Sequence, residues 1–456
     1  LRRYQLELAA DGLTFADVER LGQEMDDFTE LPRWAALARL QQDYFQLLTK
    51  LQLEDVQHAR LQAIARRKCR TDAHLVLVGI ADIGTALRQM LSCVAEQEAT
   101  QITALIFAPD SWADRFDRYG GLLPEIWQKL SIDLDEEQLE MVEGPDEQCG
   151  AVLQGLASWS GELRPDEIAV GMPDERLVSR LHRYLDQADV ASRWATGRQL
   201  NETGPCRLFA AVAGFVRGGR REDLAALLRH PDLFAWLERR FRGSEASGAL
   251  PDWLTLLDTY HQNHLQARYV GSWLGRHSEW QGLGWVHREL LALVAPFDSG
   301  PRPLSAWTEP LLELLRAIYT SHDYDSNDPL LVGACDQLVE TLRQHATVPE
   351  KLLPSVTAPE AITLVLNACR GKGIPPPADP DAVELLGWLE LLLDDGPGLI
   401  VTNVNEGYVP SSSNEDLFLP NRLRTLLGLE DNARRYARDA YLLSVLSASR
   451  QKLRLV

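Results

Sequence analysis

Short apolar runs that alternate with amphipathic helices constrain the fold of this 456-residue chain more than any other feature. The run at 167–171, for example, is followed by a predicted helix over 174–189. Strands that alternate with helices pair in parallel and form the sheet layer of an α/β fold. Runs that fit this α/β pattern lie at residues 74–79, 102–109, 167–171, 361–366, 398–402 and 452–456.

Two long stretches lack strand patterns and predict helices instead. Between residues 6 and 70, apolar side chains recur at three-to-four spacing, and Thr14 and Leu31-Pro32 are typical helix starts. Between residues 203 and 348, leucine-rich helices are separated by segments rich in Gly, Pro and Ser. The pattern therefore predicts an α/β layer that is interrupted twice by helical insertions.

Charge and composition exclude several classes of protein. With 46 Lys and Arg against 66 Asp and Glu, the net charge is −20, which argues against a surface that wraps nucleic acid and leaves at most a local basic groove. No apolar run approaches the ~20 residues of a membrane helix. The six cysteines form no C-x-x-C pair, which favours reduced thiols in the cytoplasm over disulfides or a zinc site.

Motifs for catalysis are not found in the sequence. Gly371-Lys372 lacks the hydroxyl residue and the helix start of a phosphate loop. Six Pro-Asp dipeptides lack the following D/E-x-K strand of a metal-dependent nuclease, so turns and helix caps are the better interpretation. His261 and His264 share a helix face without a third ligand, and we interpret them as solvated. We therefore predict no catalytic residue, metal site or cofactor in this segment.

The most specific pattern lies near the end of the chain. It reads ELLGWLE at 384–390 and GLIVTNVNEGYVP at 398–410. This resembles the part of UvrD-type superfamily-one helicases in which a "G-L-E" element precedes a strand that ends in "G-x-x-E-G-x-x-P". The similarity is greatest to the AddB-like subunits of bacterial helicase–nucleases. The segment SASRQKL at 447–453 resembles the final helicase motif and its strand.

The resemblance implies an α/β fold with two helicase-like parallel-sheet lobes, each interrupted by a helical insertion. It also implies that the chain is the central part of a longer protein, as its Leu1 start suggests, with a phosphate loop before it and a PD-(D/E)XK nuclease domain after it. The implied segments are a helical insert (1–72), the α/β end of the first lobe (73–160), the start of the second lobe (161–215), a helical insertion (216–355) and the remainder of the second lobe (356–456).

Departures from the family pattern imply that this chain does not hydrolyse ATP as an active helicase does. Where an active helicase has its magnesium-binding Asp-Glu, this chain has Gly79-Ile80. Ala448 stands where the final motif has its arginine, unless a gap brings Arg450 to that position. The resemblance thus implies an inactive helicase-like core that holds DNA and binds an AddA-like helicase–nuclease subunit in double-strand break processing. A protein–protein scaffold without DNA contact, and a segment that positions substrate in a full-length nuclease, remain as alternatives.

Four residues are the candidates for contact with DNA or a partner. Glu406 belongs to the "E-G-x-x-P" element, although Glu406-Gly407 is also typical of an ordinary strand-to-helix turn. Arg434, Arg435 and Arg438 begin the last predicted helix and would contact a DNA backbone or the partner subunit. A solvated helix face is the other interpretation of these three arginines, because runs of charged residues usually lie on such faces.

Overall fold

The chain forms two compact units that we describe separately. The computed structural model describes residues 1–26, 28–97, 100–244, 250–269, 273–275, 280–320, 328–413 and 416–456. The first unit comprises Leu1–Arg193 and Asp379–Val456, and the second comprises Trp194–Ala378.

Helices make up most of the described residues, with short strands between them. The helices are α1 (Arg2–Ala10), α2 (Phe15–Gly22), α3 (Leu31–Lys50), α4 (Val56–Ala65), α5 (Thr85–Ala95), α6 (Pro124–Trp127), α7 (Pro145–Trp159), α8 (Val178–Gln187), α9 (Gly204–Gly218), α10 (Arg221–Leu228), α11 (Pro231–Arg242), α12 (Trp253–His264), α13 (Gln281–Val294), α14 (Thr308–Tyr319), α15 (Pro329–Ala346), α16 (Ala358–Cys369), α17 (Asn421–Leu427) and α18 (Asn432–Ser449). The strands are β1 (Leu75–Val78), β2 (Ile102–Leu105), β3 (Ile168–Met172), β4 (Ser192–Trp194), β5 (Arg198–Gln199), β6 (Arg302–Pro303), β7 (Ser355–Val356), β8 (Gly373–Ile374), β9 (Val383–Gly387), β10 (Gly398–Val401) and β11 (Lys452–Leu455).

A five-stranded sheet organises the first unit and makes the protein an α/β fold. Its strand order is β11-β10-β3-β9-β4, and the first four of these strands run parallel. Every residue of β3 and β10 is buried, as expected of parallel strands that helices cover on both faces. Leu399 of β10, Trp127 of α6 and Tyr441 of α18 belong to one apolar core.

A separate two-stranded sheet lies in the same unit. β1 and β2 pair in parallel, with Leu77 opposite Ala104. One face of this sheet packs on α5, because Leu75, Leu77 and Ile102 contact the core of Ile83, Leu91 and Tyr119. The opposite face exposes Val76, Val78 and Leu105. We call this exposed side the β1–β2 face.

The second unit is helical and has its own core. Helices α9 and α16 supply Phe209 and Ile362 to that core, and Trp253 and Trp307 are fully buried in it. Its described residues include two short antiparallel ladders, in which β5 pairs with β8 and β6 pairs with β7. Each ladder consists of four residues, two from each strand. Large aromatic side chains buried in this way contribute much of the apolar area of a core.

Most strand predictions are confirmed, and one apolar run was misinterpreted. The runs at 74–79, 102–109, 167–171, 398–402 and 452–456 contain β1, β2, β3, β10 and β11. The run at 361–366 instead lies in α16, which begins at a capping box formed by Thr357 and Glu360. β9 was missed as a strand. The helix start predicted at Thr14 is confirmed, because the Thr14 hydroxyl donates to Asp17 Oδ2 at 2.8 Å.

The helical unit is longer than the insertion predicted at 216–355. It extends from Trp194 to Ala378 because α9 and α16 share its core and β5 pairs with β8. The segments predicted as 1–72 and 73–160 fall in one compact unit with the strands β3, β9, β10 and β11. Among the described residues, no helix is long and apolar enough to cross a membrane.

Candidate functional site

The carboxyl ends of four parallel strands meet at one edge of the five-stranded sheet. From β3 the chain continues through α8 to β4 on one side, whereas β10 and β11 pair on the other side. The chain therefore reverses its direction of strand addition between β3 and β10. In open α/β sheets such a switch point, outside the carboxyl ends of the strands, is where ligands bind.

The loop that follows β10, residues 402–413, carries the resembling motif to this edge. Thr402 donates its backbone N–H and its hydroxyl to Gly171 O, each at 3.0 Å, which ties the loop to the end of β3. Asn403 stands at the first glycine of the "G-x-x-E-G-x-x-P" pattern and has a φ of 54°. Asparagine tolerates this left-handed conformation better than most residues do. Glu406 is exposed at the tip of the loop.

A buried carboxylate holds the far end of this loop. Asp439 on α18 accepts the Ser411 backbone N–H at 2.8 Å and the Trp388 Nε1–H at 3.0 Å. Gly387, at the end of β9, donates its N–H to Glu390 at 2.8 Å, so the "G-L-E" element closes a turn next to Trp388. The two parts of the resembling pattern are thus joined through one aspartate.

An exposed arginine and a tyrosine lie at the switch point. Arg176, just after β3, donates from Nε to Asp174 Oδ1 at 2.8 Å and from Nη2 to the Tyr408 hydroxyl. Its guanidinium carbon lies 5.9 Å from the centroid of the Tyr408 ring. The hydrogen bond from Arg176 holds the pKa of the Asp174 carboxyl below its usual value. The Arg176 side chain is 77% exposed.

Sequence reasoning missed Arg176 and Tyr408 as a site. Pro173-Asp174 was interpreted as a turn or cap, and this is confirmed because Asp174 accepts the Arg176 backbone N–H at 3.1 Å. Their positions in the sequence could have indicated them, because Arg176 follows a predicted parallel strand and Tyr408 lies two residues after Glu406. The carboxyl ends of parallel strands share one edge, so both side chains were candidates for it.

The three predicted arginines of α18 are half-buried and lie in internal ion pairs. Arg434 lies 3.3 Å from Asp11 and 3.1 Å from Asp82. Burial lowers the pKa of Arg434, but the two carboxylates outweigh burial and raise it above its ordinary value.

Arg435 and Arg438 share one acidic partner. Glu430 lies 3.4 Å from Arg435 and 2.9 Å from Arg438. Arg438 also donates to the Ser411 hydroxyl at 2.9 Å, so it lies directly behind the 402–413 loop. Of the four predicted residues, Glu406 is at the edge and Arg438 supports the loop, whereas Arg434 connects α18 to the residue after α1 and to the segment between β1 and α5. Their contact with DNA or a partner stays a prediction.

Gly79 and Arg450, which the resemblance aligns with metal- and phosphate-handling positions of helicases, both serve packing in this chain. The Gly79 Cα lies against the Phe107 ring, because a Cβ built at Gly79 would be 2.6 Å from it. Arg450 is 2.9 Å from Asp394 and donates to Leu391 O at 3.0 Å, near the amino end of β10 and away from the switch point. Within the part of the chain that the structure describes, no group of three or more His, Cys, Asp or Glu side chains is arranged to hold a metal ion.

The chain matches no model of a known protein family, and no curated protein matches it.

Proposed function

We propose that this chain is a non-catalytic, helicase-like core of the AddB type, which holds DNA and binds a helicase–nuclease subunit in double-strand break processing. One observation carries the proposal. The "G-L-E" element follows β9 and the "E-G-x-x-P" loop follows β10, the two strands that flank β3 in one parallel sheet, and Asp439 ties the two together. The site that they build lies at the switch point, where α/β sheets bind ligands.

The DNA contact is assigned to Arg176 and Tyr408 rather than to α18. A phosphate needs an accessible cation, and the Arg176 side chain is exposed while the α18 arginines are paired internally. An aromatic ring beside an arginine is a platform on which an unpaired base stacks, worth roughly 1–3 kcal/mol per base. Asp174 competes for the guanidinium, so we expect weak binding that depends strongly on salt.

Titration of tailed and single-stranded DNA with the whole chain tests this proposal. We expect binding at low ionic strength that disappears near physiological salt, and we expect Arg176→Ala to lower the slope of log affinity against log salt by about one. Arg164→Ala is the matched control. Arg164 is 71% exposed, lies 3.1 Å from Asp166, and precedes the amino end of the same strand. Equal losses in both variants, or no binding at any salt, would contradict the DNA contact.

The non-catalytic part of the proposal has a separate test. ATP hydrolysis by the chain should not exceed the background rate with or without DNA, because a carboxylate is missing at Gly79-Ile80 and Asp82 is paired with Arg434. A measurable ATP turnover that is lost in Asp82→Asn would overturn it. A cytoplasmic location belongs to the same proposal, and six free cysteines support it.

A scaffold without DNA contact is the second candidate function. It is favoured by the internal pairing of Arg434, Arg435 and Arg438 in a chain of net charge −20. The DNA titration distinguishes the two candidates, since a scaffold shows no shift even at the lowest salt.

A further inference from the structure

The β1–β2 face is an apolar surface that the first unit leaves uncovered. Val78 is 58% exposed and Leu105, its register partner, is 53% exposed. Val76, Ile80 and Phe107 extend the same exposed alternation along the two segments. Parallel sheets normally have both faces covered by helices, and α5 covers only the opposite face of this one.

The dimensions of this face match a single helix. Two strands ~4.8 Å apart present a strip ~10 Å wide, which is the diameter of one α-helix. Four residues at ~3.3 Å each give a length of ~13 Å, which a helix spans in about nine residues. A helix with apolar side chains at i, i+3 or i+4, and i+7 would therefore cover the strip.

A basic loop lies at the amino end of the face. Arg66, Lys68 and Arg70 are exposed there, together with Asp72. The loop is held beside the start of β2, because Gln97 Nε2 donates to Cys69 O and the Thr100 hydroxyl donates to Thr71 O, each at 2.7 Å. Its net positive charge is opposite to that of the whole chain, −20.

We infer that the β1–β2 face binds an amphipathic helix of another polypeptide, with acidic residues in its first turn placed over the basic loop. Apolar burial provides the affinity, and the loop sets the direction because acidic side chains favour a helix N-terminus. The inference deepens the partner-binding part of the proposed function and rests on it. It does not use the switch point.

The test uses a synthetic helical peptide with leucines at i, i+4 and i+7 and three glutamates in its first turn. We expect saturable binding to the whole chain by fluorescence anisotropy, and at least tenfold weaker binding after Val78→Ser with Leu105→Ser. Met141→Ser, at a side chain 99% exposed elsewhere, is the control and should leave the affinity unchanged. A peptide with lysines in place of the glutamates should bind more weakly, and Arg70→Glu should reduce that difference.

Three results would overturn the inference: no binding of the peptide, equal binding by the serine variant, or a concentration-dependent dimer that the serine variant abolishes. The last result would assign the face to a second copy of the chain. DNA titration of the parent chain separates the two proposals. A parent chain that binds DNA but not the peptide rejects only the helix site, whereas a parent chain that binds the peptide but not DNA rejects only the DNA contact.

Discussion

Trp388 Nε1 donates to Asp439 Oδ1 at 3.0 Å, across 51 residues of chain. The bond joins the turn after β9 to the middle of α18, and Asp439 uses its second oxygen to accept the Ser411 N–H. Loss of a buried carboxylate that accepts several hydrogen bonds leaves its donors unpaired, which costs free energy of unfolding. The same hydrogen bonds hold the groups that donate them in fixed positions. This aspartate therefore sets the position of the loop that carries Glu406.

Removing Asp439 should destabilise the first unit. Asp439→Ala leaves the Trp388 and Ser411 donors and the Arg438 guanidinium without their buried acceptor, so we expect a loss of about 3 kcal/mol in the free energy of unfolding. Asp133→Ala, at an exposed carboxylate in the same unit, should change it by less than about 0.5 kcal/mol. Urea unfolding of both variants measures the difference, and equal stabilities would refute the role of Asp439.

Glycine 79 should not tolerate a side chain. Its φ of 64° and the Phe107 ring at the Cβ position predict that Gly79→Ala lowers the free energy of unfolding by about 1–3 kcal/mol. Gly150→Ala is the matched control, because Gly150 lies inside α7 with open space at its Cβ position. There we expect stabilisation of about 0.5–1 kcal/mol. Thermal unfolding that ranks the two variants in the reverse order would contradict the packing described for β1 and β2.

Arg434 should contribute to stability and not to DNA affinity. A double-mutant cycle with Arg434→Ala and Asp82→Ala should give a favourable coupling of about 0.5–1 kcal/mol, because the pair is half-buried and partly screened by solvent. The salt dependence of DNA binding should be the same in both single variants. A coupling near zero, together with a lower salt slope in Arg434→Ala alone, would instead support the sequence-based prediction that this arginine contacts DNA.

His230 should make the stability of the second unit sensitive to acid. Its ring caps α11: Nδ1 accepts the Leu233 N–H at 3.5 Å, while Nε2 lies 3.0 Å from Gly204 O. Burial lowers the pKa of His230 below its ordinary 6.5, which outweighs the opposing effect of Gly204. As the pH falls, His230 is therefore protonated near pH 6.5 in the unfolded chain but only at a lower pH in the folded chain.

Stability from His230 is thus complete above about pH 6.5 and is lost as the pH falls toward the folded-state pKa. Urea unfolding between about pH 7.5 and 5 should show this slope. His230→Asn should flatten it, because asparagine also caps helices and does not titrate. The exposed His74→Asn is the control and should keep the slope of the parent chain. An unchanged slope in His230→Asn would show that other groups cause the acid sensitivity.

The local sequence pattern was sufficient to predict the strands that are buried on both faces of the sheet. β3 and β10 are continuous apolar runs, so their sequences alone indicated parallel strands. β9 was missed because Glu384 interrupts its apolar run, and that carboxylate is explained only by Arg193, 2.8 Å away and 191 residues earlier. The run at 361–366 is as apolar as a strand, but it is the face of α16 that packs in the helical core.

The candidate site likewise has features that the sequence predicts and features that only the structure shows. The sequence by itself determined the α/β class, most strands of the sheet and the loop that displays Glu406, because these depend on apolar runs and on residues close together in the chain. Only the tertiary structure decided which arginines are exposed and which are half-buried in ion pairs. Arg434 is neutralised by Asp11 and Asp82, whereas Arg176 is exposed and meets Tyr408 across 232 residues. The interaction energy of a charged side chain depends on the charges close to it in space, and the local sequence does not show which residues those are.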